Sequence, residues 1–283
     1  MLSIVDINPL GATLWCLFLG VLFVATLYIW RADAGLGRNH PKQVKNRFIS
    51  VSLSTVLSLL LLRLVLCKKD PFVREEFIDI VGLRIWSGAF ILTFMGLFHV
   101  AVLFLGPLAV RFLDNDWIFE VENDPDMYSY KSVFEALKSH IRNIYWWRNL
   151  VVGPAAEELV FRACMCPVLE EAGFSKAKTC FLAPLFFGVA HLHHYIELRR
   201  NYPVKTAAMS VLFQFCYTYL FGLYACFLFV KTNCIYASIF AHSFCNYMGF
   251  PDVDVLVSHE HKNLLRVLHV AGIIGFILLF RII

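Results

Sequence analysis

Eight apolar runs spread along the whole chain constrain the fold before anything else. They lie at about 11–30, 48–67, 85–110, 147–169, 177–194, 206–230, 234–250 and 264–283. A helix needs about 20 mostly apolar residues to cross a bilayer. Lipid offers the backbone no hydrogen-bond partner, so such runs read as membrane helices. The composition agrees: 59% of the 283 residues are hydrophobic and 16% charged, with 27 Phe. That balance excludes an ordinary soluble domain. No polar stretch is long enough to form a second one. The expected fold is all-α, a polytopic membrane bundle of about eight transmembrane helices forming a single domain over 1–283.

The first run has no Lys or Arg before it and no A-x-A-like exit, so it reads as a retained helix. Loops on one side (about 31–47, 111–148, 194–205 and 251–263) hold 14 Lys and Arg, against 8 on the other. The positive-inside rule then puts both termini outside the cytosol. Arg63, near the end of the second run, can snorkel toward Lys68 and Lys69. His99 in the third run suits packing or ligation equally. The longest polar stretch carries Ser132 and Glu135 in a capping-box pattern. Val133, Leu137, Ile141 and Ile144 follow at helical spacing. With Tyr145, Trp146 and Trp147 behind them, they predict an interfacial amphipathic helix. The net charge of +4 is small and points to no nucleic-acid partner. The nine Cys lie mostly in apolar runs, where they behave as small hydrophobes. Cys164 and Cys166 form a C-x-C without a second pair, so neither a disulfide framework nor a zinc finger is expected.

Against this apolar background, Gly153-Pro-Ala-Ala-Glu-Glu-Leu-Val-Phe-Arg162 stands out. Charged residues inside a membrane are costly and are kept when they pair, line a wet cavity or do chemistry. Glu158 and Arg162 are four apart and share a helix face. Glu157 is turned by about 100° from Glu158. Arg162 can thus neutralise Glu158 and leave Glu157 as a tuned base. The plainer alternative is a neutralised packing pair with a spare Glu. Gly153 and Pro154 are expected to loosen the backbone just before Glu157.

Two other runs carry unusual polar groups. The fifth ends Phe187-Gly-Val-Ala-His191-Leu-His193-His194, and the seventh contains His242-Ser-Phe-Cys-Asn246. Each pair, Phe187 with His191 and His242 with Asn246, shares a face at a spacing of four. The predicted topology brings Glu157, His191, His242 and Asn246 to similar depths in the cytosolic half. His193 and His194 read as residues of the cytosolic edge. A Glu and a His can hold and deprotonate a water. A second His and an Asn amide can donate to the oxyanion formed when that water attacks a carbonyl. Together they suit amide hydrolysis. The same residues offer another reading, with Glu157, His191 and His242 as a His₂Glu zinc set, although His-Glu-x-x-His is absent. A third reading is a transporter or scaffold, since intramembrane Glu, Arg and His also mark ion pathways. Internal repeats and matched broken helices are lacking, which counts against it.

Glu-Glu-x-x-x-Arg (157, 158, 162), Phe-x-x-x-His (187, 191) and His-x-x-x-Asn (242, 246), in this order on separate runs, resemble the type II CAAX prenyl endopeptidases. The resemblance covers about Val151 to Asn246. It implies an intramembrane glutamate protease of the endoplasmic reticulum, with a catalytic core at about 147–250. Such an enzyme removes the last three residues of prenylated proteins ending Cys-a-a-X, small GTPases among them. It implies Glu157 as the base, His191 as the second water ligand, and His242 and Asn246 as the oxyanion hole. Glu158, Arg162 and Phe187 would support them. The prenyl chain would lie among the helices, beside membrane lipid, and the peptide would enter from the cytosol. The implied enzyme needs no cofactor, with zinc left open.

Overall fold

The computed structural model describes residues 7–30, 36–37, 39–66, 74–114, 138–139 and 141–281. All regular structure among them is helical. Helix α1 (Pro9–Thr26) is started by Asn8, whose Oδ1 accepts from the Gly11 N–H at 2.7 Å. Helices α2 (Pro41–Leu66) and the short α3 (Arg74–Ile80) follow. The third apolar run is two helices, α4 (Ser87–Leu103) and α5 (Leu105–Leu113), meeting at a 72° bend.

The fourth run is a composite helix, here called α6. It comprises an α turn (Ile144–Trp147), a π turn (Arg148–Val152), a second α stretch (Gly153–Glu158) and a second π turn (Leu159–Ala163). Next come α7 (Cys166–Glu171) and α8 (Lys176–Ala190), the latter started by Ser175. A 3₁₀ turn (His191–His193) leads into α9 (His194–Leu198). Helix α10 (Val204–Thr232) follows Pro203 and stops at Asn233, whose φ of 49° is left-handed. Helices α11 (Ile235–Met248), α12 (Val255–Ser258) and α13 (Lys262–Leu279) complete the fold.

By length and composition, α1, α2, α10 and α13 can each cross a membrane, and the bent α4–α5 pair is a fifth candidate. This is fewer than the eight apolar runs. The runs at 147–169, 177–194 and 234–250 form helices that are shorter or interrupted, and they cluster in the interior. The predicted amphipathic helix after Ser132, including its capping box, lies mostly outside the described residues, as do Lys68 and Lys69. Arg63 lies over the Phe77 ring at 5.7 Å.

The core forms where α1, α6, α7, α8 and the start of α11 meet. Leu19, Phe161, Met165, Leu169, Phe187 and Ile235 are all fully buried there. The outer helices behave differently. Leu14 and Val21 of α1, Leu53 and Leu60 of α2, and Val267, Ile274 and Ile277 of α13 are exposed apolar side chains, as lipid-facing surfaces require. His99 proves to be a packing residue. Its Nε2 meets the Phe276 carbonyl at 2.7 Å and its ring stacks on Phe276, joining α4 to α13.

Candidate active site

The interrupted backbone of α6 builds one wall of the site. In the first π turn, the Gly153 N–H donates to the Arg148 carbonyl, five residues back. A Cβ on Gly153 would lie 2.7 Å from that same oxygen, so only glycine fits. Pro154 has no N–H to offer. The carbonyls of Asn149 and Leu150 therefore lose the donors that a regular α-helix would supply. Helix α11 supplies replacements: Asn246 Nδ2 donates to the Asn149 carbonyl at 2.9 Å, and Ser243 Oγ donates to the Leu150 carbonyl at 2.7 Å. The loosening expected at Gly153-Pro154 is thus a defined register shift, repaired by a neighbouring helix. π bulges of this kind often occur at functional sites. Asn246 retains a second N–H.

Glu158 and Arg162 form the expected i, i+4 ion pair, at 3.1 Å, and both are buried (0% and 1% exposed). The sequence did not reveal their third partner. His242 Nδ1 lies 2.7 Å from Glu158 Oε1, the oxygen that also accepts from Arg162 Nη1. Glu158 thereby orients the His242 ring and turns its Nε2 toward Glu157, whose Oε2 is 3.7 Å away. Phe187 holds this group from the side. The Arg162 guanidinium lies 4.5 Å over its ring, and the His191 and His242 rings meet it edge-on at 4.7 and 6.3 Å. Phe221, another residue missed at the sequence level, lies 4.6 Å from the His242 ring. A Phe among many membrane Phe carries no signal of its own.

His191 closes the end of α8. Its Nδ1 lies 2.8 Å from the Phe187 carbonyl. With the ring N–H donated there, Nε2 carries the lone pair and can accept a proton. Glu157, His191, His242 and Asn246 all line one cavity of about 1470 Å³. Much of its remaining wall is apolar, with Phe104, Phe213, Leu220, Phe276 and Phe280 among the side chains. Residues from α6, α8 and α11 that looked convergent by topology do meet around one space.

His242 Nε2 and Glu157 Oε2 are 3.7 Å apart, but His191 brings no ligand atom within 4.8 Å of both. Among the described residues, only His193, His194 and Glu197 bring three ligand atoms within 4.8 Å of one another. His194, expected at the cytosolic edge, is buried (8% exposed). Glu197 receives Arg47 Nη2 at 2.7 Å. The proximity of His194 and of Arg47 holds the Glu197 carboxyl down at about 2, against the opposing effect of partial burial.

The family model described as type II CAAX prenyl endopeptidase Rce1-like matches residues 140–248, the segment that carries Glu157, His191, His242 and Asn246. CAAX prenyl protease 2 of Homo sapiens is 38% identical over 273 residues, covering 94% of this chain and 79% of the relative. The chain belongs to the type II CAAX prenyl endopeptidase family. Probable CAAX prenyl protease 2 of Schizosaccharomyces pombe is 32% identical over 268 residues (93% and 89% covered). CAAX prenyl protease 2 of Arabidopsis thaliana is 32% identical over 280 residues (93% and 86%). No solved structure matches the chain. As a CAAX prenyl endopeptidase, the protein is a peptide-bond hydrolase carried by a multi-pass membrane bundle.

Proposed function

We propose that this endopeptidase cuts prenylated proteins ending Cys-a-a-X between the Cys and the first a residue, releasing aaX. Glu157, His191, His242 and Asn246 would be the residues that act. The observation that carries this reading is the cavity with two kinds of wall. Its polar end suits hydrolysis, and its apolar length suits a prenyl chain. Small GTPases with such C-termini are the natural substrates under this reading. Residence in the endoplasmic reticulum membrane, entry of the peptide from the cytosol, contact of the prenyl chain with lipid, and a catalytic core at 147–250 within one domain belong to the same proposal.

The chemistry follows from where each proton sits. His191 Nε2 accepts a hydrogen bond from a water, and Glu157 takes the water's other proton as general base. The hydroxide adds to the carbonyl carbon of the prenylated Cys. The resulting oxyanion accepts from the free N–H of Asn246 and from His242 Nε2. Because Nδ1 of His242 is committed to Glu158, Nε2 donates to the oxyanion when the ring carries both protons. Glu157 then returns its proton to the leaving amine as the C–N bond breaks. The carboxylic acid formed gives its proton to the amine, so a prenylcysteine carboxylate and the aaX ammonium group remain. No metal is required for these steps. The alternative zinc reading of Glu157, His191 and His242 uses the same side chains as ligands, and the metal content of the active enzyme separates the two.

The test is cleavage of a farnesylated CAAX peptide by the full chain in detergent, wild type beside Glu157→Gln, with metal content measured. Tripeptide release by wild type and none by the folded variant is expected. Full activity of Glu157→Gln overturns the assignment. Loss of a bound metal in Glu157→Gln would move that residue into a ligand role.

A further inference from the structure

His193 and His194 take no part in the mechanism above, and neither lines the cavity that His191 faces. Their polar atoms are nevertheless arranged. His193 Nδ1 lies 2.6 Å from the Ala190 carbonyl, so its N–H is donated there and Nε2 keeps the lone pair. That Nε2 is buried and has no hydrogen-bond partner among the described residues. His194 is 8% exposed, and its Nδ1 is likewise buried without a partner. Glu197 Oε2 is 3.6 Å from His194 Nδ1, too long for a hydrogen bond. The other oxygen, Oε1, is occupied by Arg47 at 2.7 Å. The arrangement therefore includes two unpartnered imidazole nitrogens and a carboxylate already anchored through its far oxygen. The ligand atoms of His193, His194 and Glu197 lie within 4.8 Å of one another.

Buried polar atoms normally find partners. A metal-bound His typically donates its other ring N–H to a carbonyl or carboxylate, and a ligating carboxylate is itself hydrogen-bonded. His193 has the first feature and Glu197 the second. Two imidazoles and one carboxylate suit zinc and neighbouring divalent first-row ions, with a fourth position left for water. We propose that His193, His194 and Glu197 form a binding site for a divalent transition-metal ion, zinc foremost, separate from the hydrolytic residues. The ion would tie the 3₁₀ turn that carries His191 and His193 to α9 and, through Arg47, to α2. The His191 and His194 rings are 5.9 Å apart, so the site braces the residue that holds the water. The Arg47 charge weakens binding and sets the affinity below that of a closed structural zinc site.

The test uses the full chain in detergent, stripped with chelator and then titrated with zinc, and separately with cobalt for its visible absorption. One equivalent bound by wild type and by Glu157→Gln is expected, with a zinc-dependent rise in thermal midpoint. Stoichiometric binding and the cobalt bands should be lost in His193→Asn and in Glu197→Gln. His193 is chosen because it is less buried than His194, and the metal-free thermal midpoint shows whether each variant folds. Absence of saturable binding by wild type overturns the proposal. So does binding retained in both folded variants, or binding lost in Glu157→Gln but kept in His193→Asn. Since the readout is metal binding, failure here leaves the hydrolytic assignment standing, and failure of that assignment leaves this site testable.

Discussion

Two groups of His and Glu flank α8 and differ in how their atoms are used. Around Phe187, Glu158 Oε1 joins both Arg162 Nη1 and His242 Nδ1, and all three side chains are nearly inaccessible, with Glu158 Oε2 and Arg162 Nη2 left without a hydrogen-bond partner. After the end of α8, His193 and His194 each keep a buried ring nitrogen without a partner. The first arrangement is a rigid mount, which holds an imidazole at a set angle toward the cavity. The second is an open coordination set. The same residue types thus serve orientation in one place and capture in the other: Glu158 Oε1 takes both Arg162 and His242, whereas the Arg47 bond to Glu197 Oε1 leaves the two imidazole nitrogens without partners.

Changes at the two groups should separate these roles. The largest effect is expected at the cavity itself: Glu157→Gln should lower kcat by about 10²–10⁴-fold, the usual range for a general base. Its thermal midpoint should stay near wild type, since Glu157 lines the cavity and lies outside the Glu158–Arg162 pair. Glu158→Gln should do the reverse in part. It leaves Arg162 buried without its counter-charge, a loss of about 3–5 kcal/mol in stability. Denaturation measured beside peptide cleavage reads both effects. A midpoint equal to that of Glu157→Gln would show that the mount is not structural.

Asn246→Ala should cost about 10²–10³ in kcat, as for one oxyanion donor. The same change exposes the Asn149 carbonyl, so a Ser243→Ala control is needed. Ser243→Ala removes the hydroxyl's bonds to the Leu150 and Ile239 carbonyls and should leave kcat within about tenfold, a barrier change of about 1.4 kcal/mol or less. Gly153→Ala forces a Cβ against the Arg148 carbonyl and should destabilise the chain by about 1–3 kcal/mol, as overpacking does. Raised KM with near-normal kcat would place the damage in the cavity wall; lowered kcat would place it at Glu157.

The smallest effect belongs to the open group without metal. Glu197→Gln removes a partly exposed ion pair with Arg47 and should cost about 0.5–1 kcal/mol near neutral pH. The folded-state carboxyl is depressed from 4.5 to about 2, so this contribution is present above 4.5 and fades as pH falls toward 2. Midpoints of the variant and wild type should therefore converge in acid. Constant separation across that range would show that the charge of Glu197 is not what matters.

The apolar runs determined the all-helical membrane class by themselves, because lipid leaves the backbone no choice but to satisfy itself. The same holds for the Glu158–Arg162 pair, which follows from a spacing of four on one helix. Spacing on three separate runs was also enough to single out Glu157, His191, His242 and Asn246, since charge and amides inside lipid need a reason. What the sequence alone could not decide involves contacts between helices. Long apolar runs predicted eight crossings, yet hydropathy does not distinguish lipid from protein as the apolar neighbour, and the helices over 144–163, 176–190 and 235–248 are short or interrupted pieces surrounding the site. The bond from His242 to Glu158, the repair of the α6 carbonyls by Ser243 and Asn246, and the approach of Arg47 to Glu197 join residues 84, 93, 97 and 150 positions apart. No periodicity encodes such pairings; they exist only once packing has set which helix faces which.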